Sequence, residues 1–379
     1  MLSSSFGTEN VYKRMNVMTE PKVKIAHCAD VHLAPVFAEP DGKGSVGLAE
    51  NTKAFFRMLD VCRENKVSLL LVAGDLFDQV PVSKEALSWF FQALLQYQDI
   101  QVVVIPGNHD PDTPDSPYAE EIAWPAHVTV VHGFTKIDVK NLPVTIWGCG
   151  YQKEKLDFSE VDAGKDRIQI GMFHGTLGHD FTEGDFSECG FDYVALGHIH
   201  KRSEAGYEKN TCYAYSGCLC GRGFDEQGEK GFYIATIEKG QTELEFCGSG
   251  APQYRELSIK MQAGSNFGSR ELLDRLREMT IGSGHYRIHF VGERTVDEEL
   301  PLQELQDALS KEAEISLYDD REVRLKEEAM QALSGIKGLY VEKCQAFFEA
   351  APEEEKELYM EAMRLGLRAF SQEVDYRVY

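Results

Sequence analysis

From Val23 onward, short apolar runs rich in β-branched residues alternate with amphipathic stretches, a rhythm that predicts a layered α/β domain. The runs occupy 23–29, 69–73, 102–106, 144–147, 168–173 and 193–196, and helical periodicity fills 45–65 and 83–96 between the first three. Segments 211–216, 231–237 and 244–246 then carry strand signals separated by glycine-rich turns, which predicts a second, mainly antiparallel half. The Gly/Pro stretch 248–252 is the best boundary. Beyond it, 254–259, 269–279 and 286–291 read as strand, helix and strand. From about residue 302 the chain turns to Glu, Leu, Ala and Lys with helical periodicity, ending in a helix over 352–370. The expected organisation is a disordered, polar extension at 1–20, a main domain at 21–250, a small α+β domain at 251–320 and a helical segment at 321–379.

Five of the eleven histidines fall at or just beyond the ends of apolar runs, where open α/β sheets bind ligands. KIAHCADVH delivers Asp30 and His32, two apart, so that in an extended segment they share one face. LLLVAGDLFD ends in Gly74 and Asp75, VVVIPGNHD presents Asn108, His109 and Asp110, IGMFHGT presents His174, and YVALGHIH presents His198 and His200. Singly, an Asp-x-His or a Gly-Asp is an ordinary turn or capping pair. Asn and Asp favour turns in any case, but the histidine of Gly-Asn-His-Asp has no turn role. Five such pieces, each following a strand-like run, make coincidence improbable. The donors are carboxylate, amide and imidazole without cysteine, a set that suits manganese, iron or zinc in a non-structural site. Seven side chains exceed what one ion needs, and a central carboxylate able to bridge suggests two ions.

Composition bounds the partners. The chain has 379 residues, a net charge of −23 and 62 acidic against 39 basic side chains, so passive binding of a polyanion is disfavoured. A polyanionic substrate must be held by a local patch, by bound ions or by another subunit. The least acidic piece is the strand-helix-strand unit, with Arg270, Arg275 and Arg277 on or beside its helix. Interleaved Glu271, Asp274 and Glu278 make a plain solvated face an equal reading. Nine cysteines form no CxxC pair, which points to reduced thiols, and Cys218 and Cys220 read as packing residues rather than a metal site. No segment approaches a membrane span, and the first 20 residues hold no signal-peptide core. A cytoplasmic protein without membrane attachment is expected.

DxH, GD, GNHD, the histidine of FHG and GHxH, in this order over 23–246, resemble the calcineurin-like metallophosphoesterase superfamily. The stretch YSGCLCGRGFDEQGEKGFYIATI after GHIH resembles its exonuclease branch: the SbcD-type nuclease subunits, their archaeal and eukaryotic break-repair counterparts, and the YhaO-type proteins. The resemblance implies a four-layered β-sandwich flanked by helices, a capping domain and C-terminal helices. It implies that Asp30, His32, Asp75 and His200 hold one divalent ion, most often manganese, and that Asp75, Asn108, His174 and His198 hold the other. His109 would act as general acid or charge stabiliser while a metal-activated water attacks, and Asp110 would orient His109 as an Asp-His pair. The reaction implied is phosphodiester hydrolysis on DNA, as a 3′ to 5′ exonuclease and also an endonuclease; a phosphodiesterase or phosphatase on nucleotides or small phosphoesters is the alternative. A metal-bearing scaffold would have no need of His109. The partners implied are a second copy of the chain and an SMC-like coiled-coil ATPase of the SbcC or YhaN type. Leu358, Met363, Leu365, Leu367 and Phe370 are apolar positions that could face that ATPase or pack internally. One departure stands out: archaeal and eukaryotic members carry histidine three residues after the bridging aspartate, where this chain has Asp78.

Overall fold

The computed structural model describes residues 22–33, 45–162, 164, 166–265, 267–280, 282, 284–295, 298–310, 314–323 and 335–369. The extension expected at 1–20 and the apolar position Phe370 lie outside the described residues. The chain divides into two compact units: residues 1–219 with 231–249, and residues 220–230 with 250–379.

The first unit is built on two six-stranded sheets. In one, β1 (Val23–Cys28), β2 (Leu69–Ala73), β3 (Gln101–Ile105) and β4 (Val128–Val130) run parallel, and β11 (Gly231–Glu238) and β12 (Gln241–Gly248) join antiparallel beside β1. The crossovers from β1 to β2 and β2 to β3 contain α1 (Ser45–Glu64) and α2 (Lys84–Leu94). Ser83 caps α2 by accepting from the Ala86 N–H. The other sheet has the order β5 (Thr135–Asp138), β6 (Val144–Cys149), β7 (Ile168–His174), β8 (Tyr193–Gly197), β10 (Thr211–Tyr215) and β9 (Gly206–Glu208). Its four central strands are parallel, with antiparallel edges, and α3 (Glu183–Cys189) lies between β7 and β8 in the chain.

The late strands pair mainly antiparallel, as expected, but they form no half of their own. β10 pairs parallel with β8, and β11 and β12 complete the first sheet rather than form their own. Alternation along a strand shows that it is half-buried but not which strand it joins, so the late segments carried no local sign of their partners.

Period-two alternation makes the core. Ile25, Leu69, Leu71, Ala73, Val103 and Ile105 of the first sheet belong to one cluster with Ile146, Ile168, Ile170, Met172, Tyr193 and Ala195 of the second. Leu70 and Val72, on the other face of β2, are also buried, which is why the run reads as continuously apolar. His27 shares the inner face of β1 and is fully buried. Its Nδ1 lies 2.7 Å from Tyr193 Oη and its Nε2 3.2 Å from the Leu196 carbonyl, so a neutral ring with its hydrogen on Nε2 satisfies both contacts. That pair ties the two sheets together directly beneath their strand ends.

The second unit holds β13 (Gln253–Met261), β14 (Gly284–Arg294), β15 (Glu314–Asp319) and the short β16 (Glu322–Val323), all paired in parallel. Leu272 and Leu276 of α4 (Ser269–Met279) and Leu305 and Leu309 of α5 (Leu302–Leu309) bury against Ile259, Ile288 and Phe290. Arg270, Arg275 and Arg277 lie on the exposed side of α4. The terminal helices α6 (Gly335–Ala350) and α7 (Lys356–Ala369) enclose a small cluster of Val323, Val341, Met363 and Leu367. Leu358 and Leu365 remain exposed, together with Ile336, Leu339 and Phe347. The apolar positions expected on the last helix therefore divide between internal packing and an open face. Among the described residues no helix is long and apolar enough to cross a membrane.

Candidate metal centre

Five strand ends converge on one cluster. Asp30 and His32 follow β1, Asp75 follows β2, Asn108 and His109 follow β3, His174 closes β7, and His198 and His200 follow β8. Asp30 and His32 were expected to share the face of an extended segment. Instead, each adopts a left-handed backbone at φ near +50, as does Asp75 at +51, and His198 stands at +100. Non-glycine residues in this region carry strain that the surrounding structure must impose, and the bonds that impose it are present. The Asp30 N–H donates to the Gly74 carbonyl at 3.1 Å and the His32 N–H to the Asp75 carbonyl at 3.0 Å, which keeps the β1 and β2 turns paired beyond the sheet. The His198 N–H donates to the Asp30 carboxylate at 3.1 Å, linking the two sheets' turns. Gly197 allows the close approach: a Cβ there would collide with the Ala73 carbonyl and with His174.

Donor atoms of Asp30, His32, Asp75 and His200 all lie within 4.8 Å of one another. His32 Nε2 is 3.1 Å from His200 Nε2 and 3.9 Å from Asp75 Oδ2. His174 Nε2 stands 3.4 Å from the same Oδ2. Asn108 Oδ1 then lies 3.0 Å from His174 Nε2 and 2.9 Å from His198 Nδ1. One carboxylate oxygen thus sits between two donor groups.

The donors fit divalent cations. His174 Nδ1 donates to the Ala73 carbonyl at 2.8 Å, so in the neutral ring the Nε2 lone pair faces the lone pairs of Asn108 and Asp75. Only a proton or a cation relieves that opposition. The field is correspondingly strong. Burial would lower the pKa of His174, but its bond to Asp75 and the charges of Asp30 and Asp75 raise it to about 9. Burial would raise Asp75, yet the His174 bond and charge, the His109 N–H and the charge of His32 bring it down to about 2. Asp30 goes the other way, to about 6, because burial outweighs its histidine neighbours. His198 is lowered by burial and by His174.

The structure reverses the expectation for Asp110. Its carboxylate faces away from His109, buried, accepting from the Gly107 N–H at 2.7 Å, the Phe77 N–H at 2.8 Å and the Tyr118 hydroxyl at 2.6 Å. Three inward donors outcompete an exposed imidazole for one carboxylate. Burial first, then the charge of Asp75, raises its pKa to about 7. The ring of His109 is exposed and meets the Asp78 carbonyl instead, through Nδ1 at 3.2 Å. Cys218 is buried and donates its N–H to the His200 carbonyl at 3.2 Å. Arg270, Arg275 and Arg277 belong to the second unit.

Residues 23–202 match the family described as calcineurin-like phosphoesterase. The chain carries a calcineurin-like phosphoesterase domain. The family implies divalent metal ions, and the donor cluster lies inside the matched residues. The chain is 32% identical over 257 residues to the uncharacterized metallophosphoesterase YhaO of Bacillus subtilis, covering 58% of this chain and 59% of that protein. It is 26% identical over 298 residues to the DNA double-strand break repair protein Mre11 of Methanopyrus kandleri, covering 68% and 63%. A protein of the same description from Methanocaldococcus jannaschii is 28% identical over 212 residues, 50% of this chain and 55% of that one. The chain therefore spans about three fifths of the length of these curated relatives.

Two residues beside the cluster went unnoticed in the sequence. Tyr151 follows β6, and its ring stacks on His198 with centroids 6.0 Å apart. Its signal was available, since it stands just past another strand end in the run WGCGY. Tyr118, the partner of Asp110, sits in a loop without pattern and left none.

Proposed function

We propose that this phosphoesterase is a two-metal DNA nuclease, acting as a 3′ to 5′ exonuclease with manganese. The observation that carries the reading is the position of Asp75 Oδ2 between two donor groups, 3.9 Å from His32 Nε2 and 3.4 Å from His174 Nε2, as a bridging carboxylate requires. Asp30, His32, Asp75 and His200 would hold one ion, and Asp75, Asn108, His174 and His198 the other. Ions bound there supply positive charge against the phosphoryl oxygens and make water acidic enough to attack near neutral pH. The chain's own part is positional and protonic. Asp30 and Asp75 fix the turns from which the donors project. His109, exposed and tied through Nδ1 to the Asp78 carbonyl, presents Nε2 to the leaving oxygen and, as the imidazolium with hydrogen on both ring nitrogens, would deliver a proton to it and be left neutral. Asp110 and Tyr118 brace the loop that carries His109.

DNA as substrate is supported by the two break-repair relatives. Dimerisation, and docking of the exposed Ile336, Leu339, Leu358 and Leu365 of the terminal helices on a coiled-coil ATPase, belong to the same reading. The decisive experiment is degradation of 5′- and 3′-labelled duplexes with Mn2+, wild type beside His109→Asn. The expected result is digestion by the wild type and a 100-fold or greater loss in the variant, with metal content unchanged. Hydrolysis of bis-p-nitrophenyl phosphate without digestion of any DNA would leave a small-molecule phosphodiesterase and remove the nuclease.

A further inference from the structure

We infer that Asp78 is a positioning residue that sets the ring orientation and tautomer of both His32 and His109, its carboxylate governing the first and its main-chain carbonyl the second. The inference rests on the two-ion reading above and deepens it.

Asp78 lies three residues past Asp75, in the turn after β2, and its N–H donates to the Leu33 carbonyl at 3.1 Å. That bond fixes the residue against the turn after β1. Its Oδ1 then stands 3.2 Å from His32 Nδ1. The two atoms are at ion-pair distance without hydrogen-bond geometry, so it is the charge of the carboxylate that favours hydrogen on Nδ1 over a lone pair facing it, which leaves the lone pair on Nε2. Nε2 is the atom that faces the cluster, 3.1 Å from His200 Nε2. The main-chain oxygen of the same residue takes His109 Nδ1 at 3.2 Å. A carbonyl is an acceptor only, so His109 also bears hydrogen on Nδ1, and its Nε2 is the nitrogen left for substrate. The two rings meet edge to face, with centroids 4.8 Å apart, and donor atoms of His32, Asp78 and His109 lie within 4.8 Å of one another. One residue therefore reaches a metal-facing ring through a replaceable side chain, and a proton-delivering ring through a backbone atom that substitution leaves in place.

That division is what an experiment can read. Mn2+ titration of the full chain without substrate, followed by the paramagnetic signal of free Mn2+, should show two ions in the wild type. In Asp78→Ala one affinity should fall 10- to 100-fold, the range for losing a carboxylate behind a ligating histidine, and the other should be unchanged. Asp78→Asn, which keeps an acceptor oxygen, should lose less. Asp78→Ser, too short to reach the ring, should match Ala and so separate lost orientation from a folding defect, with thermal midpoints as the control. At saturating Mn2+, Asp78→Ala should regain wild-type kcat on bis-p-nitrophenyl phosphate with an unshifted pH profile, whereas His109→Asn should not recover. Unchanged Mn2+ affinity in Asp78→Ala and Asp78→Ser, beside a wild type that binds two ions, overturns the inference alone. A kcat that stays low in both at saturating Mn2+ overturns the division between side chain and backbone. A wild type that binds fewer than two ions removes the two-ion reading and this inference with it.

Discussion

Asp110 stands beside His109 in sequence and faces away from it in space, because the Gly107 and Phe77 amides and the Tyr118 hydroxyl all converge on its carboxylate. Asp110→Ala strands those buried donors, each worth about 1–3 kcal/mol when left unpaired. The expected outcome is a loss of about 3 kcal/mol or more in urea unfolding, while Tyr118→Phe costs about 1 kcal/mol. A second residue-scale prediction concerns His27. Burial holds its pKa down at about 3, with the Leu196 carbonyl opposing only weakly, whereas the unfolded ring titrates near the ordinary value of about 6.5. Between those values the unfolded chain binds a proton that the folded chain refuses. Stability is therefore full above about pH 6.5 and falls as pH drops toward 3, by about 1.4 kcal/mol per unit at the steepest. Denaturant unfolding of wild type and His27→Phe across pH 4 to 7 checks this, the variant showing the shallower slope. The seven candidate donors were legible because each sits in a short polar motif ending an apolar run. The roles of Asp110 and Asp78 were not, since the direction of a side chain on a turn is decided by donors and acceptors far away in sequence.

Among the elements, the strands were easier to find than to place. The runs at 69–73 and 168–173 appear as β2 (Leu69–Ala73) and β7 (Ile168–His174), and the helix at 269–279 as α4 (Ser269–Met279). What patterning could not supply is that β11 lies beside β1, more than 200 residues earlier, with Ile25 opposite Ala235. The close packing of β2 against β8 at their ends gives an element-scale prediction. Gly197→Ala pushes a methyl into the Ala73 carbonyl and the His174 ring, so β8 must shift away from β2. Both His174 and His198 move with it, and Mn2+ uptake through them should fall at least 10-fold, measured by equilibrium dialysis.

For the molecule as a whole, a net charge of −23 works against passive binding of DNA, and under the proposed function the bound divalent ions supply the charge that offsets it. Fluorescence anisotropy on a labelled duplex should register binding by the His109→Asn variant with Mn2+ and none after EDTA, even at low salt. The chain path has another result. It leaves the first unit at 219, enters the second for residues 220–230, returns for β11 and β12, and crosses again at 250. Within the second unit the borrowed segment is engaged: Phe224 meets Tyr254 edge to face at 5.2 Å and lies 4.0 Å beneath the Arg287 guanidinium. The two units are laced rather than strung. A protease cut at 249–250 should yield two fragments that travel together through a sizing column and part only in denaturant, and neither unit can be lifted out as a cassette by cutting the gene at a single point.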